Sequence, residues 1–172
     1  MAQLKICLVH MYGFFQDGET NQYRLTTETG LIYNYIRANW RKYNLIILLG
    51  GWLCDRKKGW FMDDRPTSAE LVHQMLMTDG VAPEVLVTQF HPLSLKSQPG
   101  FSEVYCRDIQ PARCTMEEAD LGLHILNALT DRPPRYVPFD ALCLGFHAKR
   151  VQMIWKSRQA NCQKVVGVPL PS

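Results

Sequence analysis

Short, almost wholly apolar runs alternate along this chain with longer segments in which apolar positions recur three and four apart. Runs of strand length lie at Leu4 to Val9, Leu45 to Leu49, Val85 to Thr88, Ala141 to Gly145 and Val165 to Val168. The second is continuous enough to be buried on both faces, as a central parallel strand is. Helical spacing joins Leu31, Ile32, Tyr35 and Ile36, then Leu71, Val72, Met75 and Leu76. It recurs in Met116, Ala119, Leu123 and Leu126, and in Val151, Ile154 and Trp155. The alternation predicts an α/β domain with a largely parallel central sheet of about five strands.

The connections give that sheet a direction. The segments leaving the first three strands are long, roughly His10 to Leu25, Trp52 to Pro66 and Phe90 to Cys114. The returns from helix to strand are short, as at Arg41 to Asn44 and Asp79 to Glu84. Ordinary connections have a median of about 4 to 6 residues, so long loops on one edge suggest function. In open α/β sheets that edge, outside the strand carboxyl ends, is where ligands bind. The segment Phe90 to Cys114 carries little periodicity and reads as a lid, of undetermined conformation.

Length and composition narrow the picture. At 172 residues and 47% hydrophobic, the chain suits one domain over residues 1–172. Nineteen Lys and Arg against sixteen Asp and Glu give a formal charge of +3, too mild and too mixed to indicate a nucleic-acid surface. Ile6 to Val9 is a short run broken by His10 with no small-residue cleavage pattern, so it reads as a strand and not as a signal peptide. No stretch approaches the roughly 18 apolar residues of a membrane span. Six cysteines, Cys7, Cys54, Cys106, Cys114, Cys143 and Cys162, form no C-x-x-C pair. Reduced thiols in a soluble, cytoplasmic protein are the expectation.

Candidate chemistry concentrates where the apolar segment Ala141 to Gly145 gives way to Phe146-His147-Ala148-Lys149-Arg150. A strand running into a helix leaves the first helical N–H groups unpaired, and these can hold an anion together with the helix dipole. His147 and Arg150 fall on one face of that first turn. His147 can donate to a phosphate oxygen or exchange a proton near neutrality. Arg24, in the first long loop, would form charge-assisted hydrogen bonds with a phosphate shared with Arg150. Gly50-Gly51 after the second strand gives a tight exit or a close approach by ligand, although G-x-G-x-x-G is absent.

Two segments, Thr67-Ser68-Ala69-Glu70 and Thr115-Met116-Glu117-Glu118, match the capping-box pattern at a helix start. Capping explains Glu70, Thr115 and Glu118 without catalysis, yet both helix starts lie on the expected functional edge. His91, Cys106 and Cys114 lack a familiar zinc spacing, so no metal centre is expected, and no G-x-S-x-G elbow points to a serine hydrolase.

The order of these motifs resembles the YdcF-like family, with its SanA and ElyC branches associated with bacterial envelope biogenesis. The likeness spans most of the chain and rests on Arg24, Gly50-Gly51, Glu70, Gly80-Val81-Ala82-Pro83, Thr115 with Glu117, and His147-Ala148-Lys149-Arg150. Met11-Tyr12-Gly13 replaces the family's glycine-rich first-strand ending, Leu49 replaces a small polar residue before Gly-Gly, and Glu118 replaces the familiar Asn after Thr-x-Glu. The resemblance implies a Rossmann-like three-layer sandwich with a polar pocket at the strand ends, and a nucleotide-like or otherwise phosphorylated ligand.

The sequence thus leads to binding of a phosphorylated small molecule, with phosphoryl transfer or phosphate-ester hydrolysis as the accompanying activity. Arg24, Gly50, Gly51, Thr115, Glu117 and Arg150 would bind the ligand, His147 would move the proton, and Glu70 would orient or activate the attacking group. No cofactor is specified. Two alternatives stay open: a non-catalytic sensor of a nucleotide or S-adenosylmethionine, and an interaction protein using Trp52, Trp60 and Phe61.

Overall fold

In the computed structural model residues 3–51, 54–55, 60–61, 66–89, 112–130 and 132–172 are described, with backbone alone at 54–55, 60–61 and 134. Five parallel strands form the main sheet: β1 (Ile6–Val9), β4 (Leu45–Leu48), β7 (Leu86–Val87), β8 (Phe139–Leu144) and β9 (Cys162–Val168). Their spatial order is β7-β4-β1-β8-β9. Each neighbouring pair is parallel, with β1 in register with β4 from Ile6↔Leu45 to Val9↔Leu48. Four helices, α1 (Thr27–Asn39), α2 (Ser68–Thr78), α3 (Thr115–Thr130) and α4 (Ala148–Ser157), cover the sheet. This is a Rossmann-like three-layer sandwich, as expected.

Strand pleating builds two cores. Ile6, Leu8, Leu45, Ile47, Val87, Ala141 and Cys143 pack with Ile125 and Leu126 of α3 and Val151 and Trp155 of α4. Cys7, Val9, Ile46, Leu48, Leu86, Leu142 and Leu144 pack with Ile32 and Ile36 of α1 and Val72 and Leu76 of α2. Covering both faces is what makes β1 and β4 read as unbroken apolar runs. Fully buried Leu8 and Ile47 each contribute about 1.5–3 kcal/mol relative to exposure.

The differences from expectation have local causes. Strand β9 begins at Cys162, three residues before the predicted Val165, because it pairs with β8 at the sheet edge and leaves Gln163 and Lys164 exposed. Asp140 interrupts the apolar run of β8, yet its carboxylate accepts from Tyr43 Oη at 3.3 Å and pairs with Lys164 at 3.7 Å. Val85 belongs to a single 3₁₀ turn, Pro83–Val85, instead of the strand. On α3 the predicted Ala119 and Leu126 are buried, joined by Glu118, Leu121, Gly122, Ile125 and Leu129, while the predicted Met116 is exposed.

The first two long loops leave the carboxyl ends of β1 and β4, on one edge of the sheet. The first folds as an antiparallel hairpin of β2 (Phe14–Gln16) and β3 (Tyr23–Leu25). The second contains the short pair β5 (Cys54–Asp55) and β6 (Trp60–Phe61). Most of the predicted lid, residues 90–111, and the side chains of Trp52, Trp60 and Phe61 lie outside the described residues. Among the described residues no helix is long and apolar enough to cross a membrane.

Candidate functional site

From β1 the chain passes to α1 on one face of the sheet, whereas from the adjacent β8 it passes to α4 on the other. The two connections diverge at the topological switch point, the place outside the strand carboxyl ends where α/β folds bind ligands in a crevice. His10, Met11 and Tyr12 follow β1 on one lip of this switch point, and Gly145, Phe146 and His147 follow β8 on the other.

His10 continues the alternation of β1 and so falls on the same side as Leu8, facing α3 and α4. Its backbone N–H still donates to Leu142 O at 2.9 Å. Its ring is fully buried, with Nδ1 2.8 Å from Glu118 Oε2, and the other carboxylate oxygen accepts from Met11 N–H at 3.4 Å. Burial pushes the Glu118 carboxyl above its ordinary value, against the opposing effect of the hydrogen bond from His10. The far side of the ring differs: Nε2 is buried without a hydrogen-bond partner among the described residues. Trp155 packs on the ring at 5.6 Å between centroids, and its Nε1 is also buried and unpartnered.

The β1 lip is pinned by α1. Thr26 caps that helix, its Oγ1 accepting from Thr29 N–H at 3.3 Å. Thr29 Oγ1 donates to Gly13 O at 2.6 Å and accepts from Tyr12 N–H at 3.2 Å. Gly13 sits at φ +95°, a conformation side chains other than glycine's resist. The turn so fixed sends Tyr12 across to β8, where its Oη accepts from Leu144 N–H at 3.1 Å. Burial raises the phenol well above its usual range, so Tyr12 stays protonated.

On the second lip, β8 does not run straight into a helix. A 3₁₀ turn, Gly145–His147, intervenes, and His147 occupies the N-cap position of α4 without capping it through its side chain. The turn lies tight against β9, since a Cβ on Gly167 would come within 2.9 Å of Gly145 Cα. The His147 ring rests between Tyr12, at 5.1 Å, and Phe146, at 4.2 Å. Its Nδ1 is buried and unpartnered. Burial, then the charge of Arg150, then His10, lower its pKa and favour the neutral imidazole. Arg150 is exposed, lining with Met116, Phe146, Lys149 and Met153 an open depression of about 500 Å³. A concavity of about 470 Å³ beside Lys5, Tyr43 and Asp140 lies at the strand amino ends, away from this chemistry.

The sequence-predicted residues separate into those at the crevice and those engaged elsewhere. His147 and Arg150 come together, and Thr115 begins α3 on the same edge. Arg24 is half-exposed on the β2–β3 hairpin, its Nε 2.9 Å from Asp17 Oδ2. Glu117 forms a two-pronged pair with Arg113, at 2.7 Å from its terminal nitrogen, which holds the carboxyl below its usual range. Glu70 closes a capping box with Thr67, accepting from its N–H at 2.8 Å while Thr67 Oγ1 accepts from Glu70 N–H at 3.1 Å. The space beside Gly50 and Gly51 is filled by the protein itself. A Cβ on Gly51 would lie 1.6 Å from Ala112 O, and one on Gly50 would lie 1.9 Å from Ser68 Oγ.

The predicted second capping box is corrected: the Glu118 carboxylate turns inward to His10 and Met11. His10, Tyr12 and Trp155 were not among the sequence candidates. A signal existed for two of these four groups. His10 is a lone imidazole ending an apolar strand, and Glu118 lies four residues before Gly122 and seven before Ile125, on the stripe that faces the sheet. Nothing local marks Tyr12 or Trp155. Among the described residues no group of three or more His, Cys, Asp or Glu is placed to hold a metal ion. No protein-family model, curated protein or solved structure matches the chain.

Proposed function

We propose that the chain binds a phosphorylated small molecule, nucleotide-like or otherwise, in the crevice between the ends of β1 and β8, and hydrolyses or transfers its phosphoryl group. The observation that carries this reading is the trio of buried, unpartnered ring nitrogens, His10 Nε2, His147 Nδ1 and Trp155 Nε1. An unmet buried polar group costs roughly 1–3 kcal/mol, so three of them among the described residues favour a ligand or water that meets them. Arg150 and Lys149 beside His147 favour an anion. The neutral His147 exchanges a proton with the ligand, and Arg150 clamps its oxygens. The motif resemblance to the YdcF-like family supports the same ligand class. The free thiols of Cys7, Cys114, Cys143 and Cys162 support a reducing, cytoplasmic setting.

A thermal-shift and calorimetric screen of inorganic phosphate, nucleotides and sugar phosphates, with product analysis of each hit, tests the reading. Arg150→Ala weakens binding by about 10- to 100-fold, the worth of one charge-assisted hydrogen bond. His147→Ala slows turnover more than it weakens binding. A ligand bound but returned unchanged makes the protein a sensor. Absence of binding by any phosphate-bearing compound refutes the proposal.

A further inference from the structure

The fully buried imidazole of His10 is held on one side only. A histidine serving cohesion alone would be met at both nitrogens or replaced by an apolar side chain of like volume, since buried ion pairs are seldom the more stable choice. Here Glu118, from a different element 108 residues away, fixes Nδ1. With Nδ1–H donating to the carboxylate, the lone pair of the imidazole is left on Nε2, which has no partner among the described residues. A carboxylate behind a histidine whose other nitrogen is free is the arrangement of an oriented general base. Trp155 Nε1–H and His147 Nδ1 are likewise unmet among the described residues, and the Trp155 ring packs against that of His10. A buried water typically makes about three such bonds.

Resting on the reading above, we propose that His10, oriented by Glu118, is the general base that takes a proton from the attacking water when a phosphate ester is hydrolysed in the crevice. Water loses H⁺ to His10 Nε2, and its oxygen forms a new bond to phosphorus. The ester P–O bond breaks, the leaving oxygen keeps the bonding pair, and it takes a proton from solvent. Transfer of the His10 proton to solvent completes the cycle, with one water consumed and alcohol and inorganic phosphate released. His10 is thereby the catalytic residue and Glu118 a positioning residue. This assigns the activating role to His10 in place of Glu70, whose carboxylate is taken up by Thr67. Three titratable or charged groups bear on the His10–Glu118 pair: His147 from the turn before α4, Tyr12 from the strand exit, and Arg150 through His147.

The test uses the full chain, inorganic phosphate as binding probe, and phosphate release from p-nitrophenyl phosphate and a panel of nucleotides and sugar phosphates. Glu118→Gln keeps the hydrogen-bonding shape and removes the charge. It should leave the phosphate Kd within about twofold, lower kcat by roughly 10- to 100-fold with little change in KM, and displace the acidic limb of the pH–rate profile. His10→Gln should lower kcat by about 10²–10⁴. Should His10→Gln fail to fold, Glu118→Gln decides alone. Wild-type kcat and an unmoved pH profile in folded Glu118→Gln overturn the inference and leave the binding reading standing. Arg150-dependent phosphate binding without release from any ester does the same. Absence of phosphate binding to the wild-type chain overturns both.

Discussion

His10, at the end of the first strand, and Glu118, in the first turn of the third helix, meet at 2.8 Å inside the protein. The strand exit and the helix start are one structural unit, because the second oxygen of Glu118 accepts from Met11 N–H.

That unit makes stability depend on pH in a stated direction. Burial raises the Glu118 carboxyl in the folded protein above its ordinary value of 4.5. The folded state then holds the proton more tightly than the unfolded chain, so this contribution is complete below the ordinary value and is lost as pH rises through the folded one. Denaturant midpoints of wild type and Glu118→Gln, measured from about pH 4 upward, should show the wild type losing ground to the variant with rising pH. A wild type that gains on the variant over that range contradicts the assignment.

The adjacent glycines differ in what crowds them. A Cβ on Gly50 meets the movable side chains of Ser68 and Met11, whereas one on Gly51 meets the Ala112 carbonyl at 1.6 Å. Gly50→Ala should cost about 1–3 kcal/mol, the usual range for overpacking, and Gly51→Ala more. Urea unfolding of the two variants checks the order, and equal costs would contradict it.

Glu70 is satisfied by capping. Glu70→Ala should destabilise by about 1 kcal/mol, and Glu70→Gln, which still accepts from Thr67 N–H, by clearly less. Equal losses in Tm would show that charge, and not the reciprocal hydrogen bond, holds the helix start.

Thiol reactivity should follow burial. Cys7 and Cys143 are buried, and burial raises both thiols, Cys143 to about 11. Cys162 is also raised to about 11, while Cys114 is exposed. Iodoacetamide on the native protein near neutral pH, followed by peptide mass mapping, should modify Cys114 on the order of tenfold faster than Cys7 or Cys143. Comparable rates would mean that the β1–β8 core opens readily.

Much of the fold could be read in the chain because strand and helix periods are local. Val151, Ile154 and Trp155 were placed on the buried face of α4 by spacing alone, and all three are buried. Thr67 and Glu70 form the box their spacing predicts. Where the reading slipped, a distant partner had changed the local rule. Thr115 and Glu118 have capping spacing too, but a buried histidine more than a hundred residues away takes the carboxylate. Gly50-Gly51 predicts a tight strand exit or a close approach by a ligand, whereas the neighbours that fill the space are Ala112 and Ser68.

The sequence by itself determined the layers, the parallel sheet and the edge that carries the long loops, because these follow from which side chains water rejects and at what interval. Only the tertiary structure decided which polar groups face one another at the switch point. Such pairing depends on strand order and on the phase of each helix against the sheet, and a hydrogen bond a few ångströms long leaves no trace in the spacing of residues that are far apart along the chain.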